Sequence, residues 1–358
     1  MAILFIGKRF YTSRDALLEK YGRIYQLPWH WSRSGMDVKL WLIDYRSGGS
    51  PRIMDGQLEV VSTSVRGPAF FGNAARAIAG GQRCADLVVA SGDCYIGLLG
   101  WLVAKRMRAR FVFDIYDKYD EFPGYWSPPG CDLFGFLLQR ADVRLFASRS
   151  VMDKASISNG IDELVPNGVD MHRFAPRDMN ESRSKTGFPP NRLLLGYFGA
   201  MEPDRGVEDL VLAVQKLRKQ GMNIELILGG TNAAGFHTDR EGVRYVGDVP
   251  YAQMPDMLAS CDLLAVPYRR STFMDAGASN KIAEAIACAR PLVATRTPNF
   301  MDNFSAQAMI LGDKLAEPSN VDDLARVITA QSRERVLVTM PVGMGWKDIA
   351  ARTLDVIV

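Results

Sequence analysis

Between positions 262 and 295 the chain reads Asp262-Leu-Leu-Ala-Val-Pro-Tyr268, a polar loop Phe273-Met-Asp-Ala-Gly-Ala-Ser279, then Asn280-Lys-Ile-Ala-Glu-Ala-Ile-Ala-Cys-Ala289 and Arg290-Pro-Leu-Val-Ala-Thr295. Asp262–Pro267 and Pro291–Thr295 are short apolar runs bounded by breakers, the pattern of parallel strands buried on both faces. Between them Ile282, Ala285, Ile286 and Ala289 recur at helical spacing and give one packing stripe. Ser279 or Asn280 is placed to cap the helix start, and Gly277 just upstream frees the backbone. The unit is therefore strand–loop–helix–strand, with its loop and helix start at the C-terminal edge of a sheet. Doubly wound folds bind ligands at that edge, and helix-start amides with the helix dipole favour an anion such as phosphate.

Glu284 sharpens this reading. It lies about 6–7 Å along the helix at ~1.5 Å per residue, on the face it shares with Asn280 and Lys281. A diphosphate held at the helix start leaves a ribose at that depth, where a carboxylate accepts two hydroxyl protons. A solvated Glu–Lys surface pair gives the same letters. The glycine-containing loop ahead of the helix favours the ligand.

At 358 residues the chain is long enough for two domains with full cores. With 47% hydrophobic and 23% charged residues it has the balance of an ordered globular protein. A formal charge of +3 offers no whole-molecule field for nucleic acid, which is not expected as a partner. The cysteines at 84, 94, 131, 261 and 288 are scattered, no Cys-x-x-Cys occurs, and there are only three histidines. Neither a zinc site nor a disulfide framework is indicated, and a reducing cytoplasm is the expected location. The opening Met-Ala-Ile-Leu-Phe-Ile-Gly-Lys-Arg lacks a signal-peptide plan. The longest apolar stretch, Tyr95 to Ala104, is far below the ~20 residues of a membrane span.

Taken in order, Ala2–Ile6 reads as a buried strand ending at Gly7, and a mixed helical stretch reaches Ser34-Gly35. Strands follow at Val38–Ile43, Leu58–Val61, Asp86–Ser91, Arg110–Asp114 and Val143–Ala147, with helices around 70–80, 96–109 and 132–141. This alternation implies a parallel sheet covered on both faces. Asp117 stands just past a strand end, where it is either a general base toward an acceptor hydroxyl or a capping acid. Tyr119, Phe122, Tyr125 and Trp126 follow on a Pro- and Gly-rich loop, either as a sugar-stacking lid or as a small core beneath the loop. The helix Ile96–Arg110 combines Leu98, Leu99, Trp101 and Leu102 with Lys105, Arg106, Arg108 and Arg110. Such letters fit a helix on an anionic membrane or one covering a sheet, and the buried reading is preferred.

The polar run from Arg177 to Pro190 holds the domain boundary, after which the alternation restarts. Leu193–Phe198, Ile224–Leu228 and Val243–Val246 read as strands, and Gly206–Gln220 and Tyr251–Ser260 as helices. A strand near Ala308–Leu311, a helix near Val321–Ala330 and a last helix Trp346–Ile357 complete the pattern. Arg205-Gly206, at a helix start after the first of these strands, is a second anion candidate: Arg offers a planar fork and Gly a close backbone approach.

Together these stretches resemble the family 4 glycosyltransferases of the GT-B type. The resemblance rests on Pro166-Asn-Gly-Val-Asp170 with Phe174 and Pro176, on Gly199 with Arg205-Gly206, on Val246–Val249, on Cys261–Pro267 and on Glu284–Thr295. It implies an α/β fold of two Rossmann-like, doubly wound parallel-sheet domains facing a cleft. Residues 1–178 form the acceptor side, 179–345 the nucleotide-sugar domain, and 346–358 a helix packing back on the first. It further implies that Glu284 binds the ribose, and that Arg205 and Lys281 hold the diphosphate with Gly199, Gly206 and the loop Gly277, Ala278, Ser279 and Asn280. Asp248 lies near the base. Gly7, Asp93, Tyr116, Tyr119 and Trp126 face the acceptor, a glycan, lipid-linked glycan or small molecule. Asp117 is the candidate base for an inverting transfer, and Asp275 near the sugar is the competitor under retention. Three positions depart from the family pattern: Ala276, where a Glu is common, Ala200 for an Arg, and Tyr116 for a His. The implied activity is sugar transfer from a UDP- or GDP-linked donor, with no cofactor. No Asp-x-Asp occurs, so no metal is expected. Peripheral membrane contact accompanies that reading. A catalytically silent nucleotide-sugar-binding scaffold and a sugar-nucleotide epimerase remain as alternatives.

Overall fold

The computed structural model describes residues 1–11, 14–46, 51–65, 85–117, 119, 125, 130 and 132–358. The helix expected around 70–80, and Phe122 and Trp126 of the aromatic loop, lie outside the described residues. The chain forms two compact units, one from Met1–Gly168 with Gly343–Val358, the other from Val169–Val342. The change of unit thus falls ten residues before the expected 178/179, placing Phe174 and Pro176 in the second unit.

In the first unit the strands are β1 (Ala2–Lys8), β2 (Asp37–Asp44), β3 (Arg52–Asp55), β4 (Leu58–Ser64), β5 (Leu87–Ser91), β6 (Arg110–Ile115), β7 (Val143–Phe146) and β8 (Ile161–Leu164). They form one sheet in the order β8-β7-β6-β5-β1-β2-β4-β3. All neighbours are parallel except β3, which runs antiparallel to β4. Neither edge strand was expected from the sequence; β3 and β8 lie largely outside the core and lack the apolar run that marks the inner strands. Helices α1 (Gly22–Arg33), α2 (Cys94–Met107) and α3 (Leu133–Arg140) cover it. The last helix, Trp346–Ile357, packs on α1, with the Trp31 indole donating to the Ala350 carbonyl at 2.8 Å.

The second unit holds β9 (Leu193–Phe198), β10 (Ile224–Gly229), β11 (Val243–Tyr245), β12 (Leu263–Val266), β13 (Leu292–Thr295) and β14 (Leu315–Ala316). Their order is β11-β10-β9-β12-β13-β14, parallel throughout. Three of its helices start near the C-terminal edge of this sheet: α4 (Val207–Lys219), α5 (Thr272–Ala276) and α6 (Asn280–Ala287). The expected strand near Ala308–Leu311 is instead the end of a helix, Ser305–Leu311, and the strand is β14 just beyond it. Met309 is 81% exposed, which a strand buried on both faces would not tolerate, while Gln307, Ala308 and Leu311 turn inward at helical spacing.

Candidate active site

The order β9-β12 at the centre of the second sheet brings the ends of those strands side by side, with α4 and α6 both starting at that edge. Gly206 begins α4 with φ +69°, and its backbone lies so close to the Pro267 carbonyl that a Cβ there would collide with it. Only glycine meets both demands. That contact locks the start of α4 against the end of β12.

Arg205, one residue earlier, has its guanidinium 5.6 Å from the Tyr268 ring centroid and 5.8 Å from that of Phe273. Glu202 and Asp204 lie at 3.3 and 3.9 Å. Burial opposes the charge on Arg205, but the Tyr268 and Tyr197 phenols and these two carboxylates outweigh it and raise its pKa. The Lys281 side chain crosses Gly199, where a Cβ would meet its Cε and Cδ and stand 3.1 Å from the Tyr197 hydroxyl. That hydroxyl donates to the Ala200 carbonyl at 2.6 Å. Tyr268, beside Arg205, shares a 2.9 Å hydroxyl–hydroxyl bond with Ser279 at the head of α6. Arg205 thus lies beside Tyr268 and within electrostatic reach of Tyr197, and the Lys281 side chain passes close to the Tyr197 hydroxyl.

Ser279 holds the N-cap position of α6, yet its side chain makes no capping hydrogen bond, because Tyr268 takes the hydroxyl. The loop ahead of it is fixed elsewhere. Asn299 accepts from the Ser279 amide at 3.2 Å and donates to the Met274 carbonyl at 2.9 Å, and Asn303 donates to the Gly277 carbonyl at 3.2 Å. Gly277 has an ordinary extended backbone, φ −73°, so the freedom expected of it is not used. Its requirement is room, since a Cβ would stand 2.9 Å from Asn299 Nδ2. Ala278 and Asn280 flank Ser279, both half-buried.

Glu284 is half-buried on the Asn280–Lys281 face of α6. One turn further, burial and then the Glu284 charge push the Cys288 thiol up to about 12, which makes it a poor nucleophile. Asp275 sits in α5, a helical turn inside what the sequence presents as loop, capped by Ser271. Its Oδ2 pairs with Arg270 at 2.7 Å, and its Oδ1 is enclosed without a partner among the described residues. On the far side Gly230, at φ +119°, packs directly on the Gly199 backbone. Asp248 is exposed beside it and accepts from Thr231 at 3.1 Å.

The first unit treats its strand edge differently. Asp114, at the end of β6, is fully buried and takes two hydrogen bonds from Arg23 at 2.9 and 2.5 Å and one from Ser91 at 2.5 Å. Arg23 also donates to the Val165 carbonyl and to Asn167. Asp117 is half-buried just beyond. Tyr119, expected to face the acceptor, is fully buried with its hydroxyl on the Asp114 carbonyl and the Tyr116 amide, and Tyr116 is 6% exposed against it. Both are core residues, because a hydroxyl that reaches backbone partners can follow its ring inside. Gly7 serves packing too: a Cβ would collide with Ile24 of α1. Asp93 caps α2 and accepts from Lys8 at 3.5 Å and from Tyr45 at 3.2 Å.

Residues 192–333 match the family model described as Glycosyl transferases group 1. The second unit is thus similar to the group 1 glycosyltransferases. A D-inositol 3-phosphate glycosyltransferase of Actinosynnema mirum is 29% identical over 148 residues, covering 37% of this chain and 34% of that protein. The chain spans 33% to 58% of the length of the curated relatives it matches. Sucrose-phosphate synthase from Thermosynechococcus elongatus superposes with a TM-score of 0.71 at 16% identity, covering 99% of this chain and 94% of that one. Anabaena HepE, solved in complex with UDP and glucose, gives 0.67 at 17% identity over 100% and 95%. These likenesses establish the fold as GT-B, with the family match lying in its second α/β half. Asn299, Asn303, Tyr197 and Tyr268, which fix the loop and cations of that domain, carried no sequence signal beyond a polar or aromatic letter near a strand end.

Proposed function

We propose that the protein transfers a sugar from a UDP- or GDP-linked donor to an acceptor hydroxyl of a glycan, lipid-linked glycan or small molecule. Its setting would be polysaccharide or glycolipid assembly at the cytoplasmic face of a membrane. The observation that carries this reading is that Arg205 and Lys281 both lie near Tyr197, beside an α6 start that lacks a side-chain cap. Two fixed cations and a helix terminus suit a diphosphate, and they act most strongly on charge that develops as it departs. Glu284, on the same face as Lys281, takes the ribose hydroxyls, and Asp248 lies on the base side. The UDP and glucose held by HepE support the same assignment.

In the first unit Asp117 is the proposed base for the acceptor proton. A retaining outcome would instead bring the enclosed Oδ1 of Asp275 to the sugar. The chemistry is proposed to run without a bridging metal, in keeping with the absence of Asp-x-Asp. Thermal-shift titration with UDP, GDP and their sugars tests the donor half: a ligand at a hundred times its dissociation constant adds about 2.7 kcal/mol. Acceptor-dependent release of nucleoside diphosphate tests the transfer half. Donor binding without release across an acceptor panel would make the protein a silent scaffold and sink the proposal.

A further inference from the structure

A helix that covers a sheet needs one apolar face, and α2 has two. Ile96, Gly97, Gly100, Val103 and Ala104 turn to the sheet and are buried. A Cβ at Gly97 would stand 2.7 Å from Leu137 Cδ1, and one at Gly100 would stand 2.5 Å from Ala90 Cβ. The helix therefore lies as close to its neighbours as its backbone permits, and the inner face is complete. Tyr95, Leu98, Leu99 and Leu102 recur at i, i+3, i+4 and i+7 on the opposite side. Tyr95 is 44% and Leu102 50% exposed. The next turn of that outer face carries Lys105 and Arg106, both exposed.

The neighbouring α3 extends the same surface. Phe136 meets Trp101 edge to face at 5.0 Å, and Arg140 lies over both rings at 5.2 and 6.0 Å. Lys105 sits 5.2 Å over Trp101. Neither helix contains Asp or Glu. An apolar strip with an aromatic flank and a purely basic end is poorly served by water alone, and a nucleic acid would give its leucines nothing to enter. No helix among the described residues is long and apolar enough to cross a membrane, so any lipid contact must be made along a surface.

We propose that the outer face of α2, with Arg140 of α3, docks in the plane of an anionic lipid surface. Leu98, Leu99 and Leu102 enter the acyl boundary, Tyr95 and Trp101 sit at head-group level, and Lys105, Arg106 and Arg140 meet the negative head groups. Asp93 caps the same helix, so docking holds the strand edge of the first unit beside the head groups, where a lipid-linked acceptor would be presented. This deepens the membrane-side part of the proposed function and does not depend on the donor assignment.

The test is flotation of the full chain with vesicles of phosphatidylcholine alone and with about one-third phosphatidylglycerol. The wild type is expected to float with the anionic vesicles only, and less so as salt rises. The double variant Lys105→Glu/Arg106→Glu should bind them at least roughly thirtyfold more weakly, since each lost basic group costs about fivefold and the new carboxylates repel the head groups. Leu102→Ser should cost about tenfold. All three positions are exposed, and unchanged tryptophan fluorescence will verify folding. Failure of the wild type to float, or equal flotation of wild type and double variant, would overturn the proposal. So would a wild-type dimer that the double variant loses, since the face would then belong to a second copy. Donor titration on the same samples is expected to be unaffected, which keeps a failure of docking distinct from a failure of the nucleotide site.

Discussion

The two sheets end in edges of opposite character. In the first unit the charges at the strand ends are spent on each other: Arg23 with Asp114, Arg9 with Asp15 and Asp44, Lys8 with Asp93. In the second, Lys281 runs across a glycine, and Arg205 lies near the Tyr268 and Phe273 rings with its Nε donating to the half-exposed Glu202 at 3.3 Å. One edge is electrostatically closed and built to hold shape; on the proposed reading the other receives an anion from outside. The same α/β alternation supports both because the fold supplies the edge and the side chains decide its use.

The comparison breaks most sharply at Arg23. Both it and Asp114 are fully buried, so removing either leaves an uncompensated charge inside. Arg23→Ala is expected to cost about 3–5 kcal/mol, whereas the paired change Arg23→Met/Asp114→Leu should recover much of that. Urea unfolding followed by tryptophan fluorescence reads this directly, because all six tryptophans, at 29, 31, 41, 101, 126 and 346, belong to the first unit. A single variant as stable as wild type would mean that the closed edge does not hold this unit together.

How much of this was legible in the sequence turns on the same contrast. Asp262–Thr295 declares its strands and helix through period and breakers, and Arg205, Lys281 and Glu284 can be picked out as candidates by their place at helix starts after strand ends, though surface pairs are written in the same letters. The Arg23–Asp114 pair spans 91 residues, and an Arg amid Gly22–Arg33 looks like any solvated helix position until the sheet order places it. Asn299 and Asn303 were hidden for a related reason: an Asn after Thr297-Pro298 reads as a turn, and its reach to the 274–279 backbone exists only in three dimensions. Tyr119 failed oppositely, since an aromatic in a Pro- and Gly-rich loop is written the same way whether it faces a sugar or the core.

The open edge is sharpened by Lys281→Ala. Hydrogen bonds to a charged group contribute about 1.5–3 kcal/mol, so affinity for the nucleoside diphosphate should fall roughly tenfold to a hundredfold. Calorimetric titration measures the loss, and the unfolding curve followed by far-ultraviolet circular dichroism, which reads both units, should not move. Arg205→Lys tests the second cation: charge is kept, but the planar fork and its stacking beside the rings are lost, and affinity is expected to fall by a similar step. Less than a twofold change in both variants would return these residues to the ordinary surface and leave the two edges alike.

The smallest effect is expected at Phe273. Its ring lies 5.8 Å from the Arg205 guanidinium and is 39% exposed, so its loss neither opens the core nor removes a charge. A cation–π contact at such a site contributes about 0.5–1 kcal/mol, and Phe273→Ala should weaken diphosphate binding by roughly twofold to fivefold. Phe273→Tyr keeps the ring face and should restore most of it, which separates holding the guanidinium from merely filling space. The double variant with Arg205→Ala decides the point. If Phe273 acts by positioning Arg205, its removal should cost nothing further once the guanidinium is gone. A full second loss would mean that the ring touches the ligand itself.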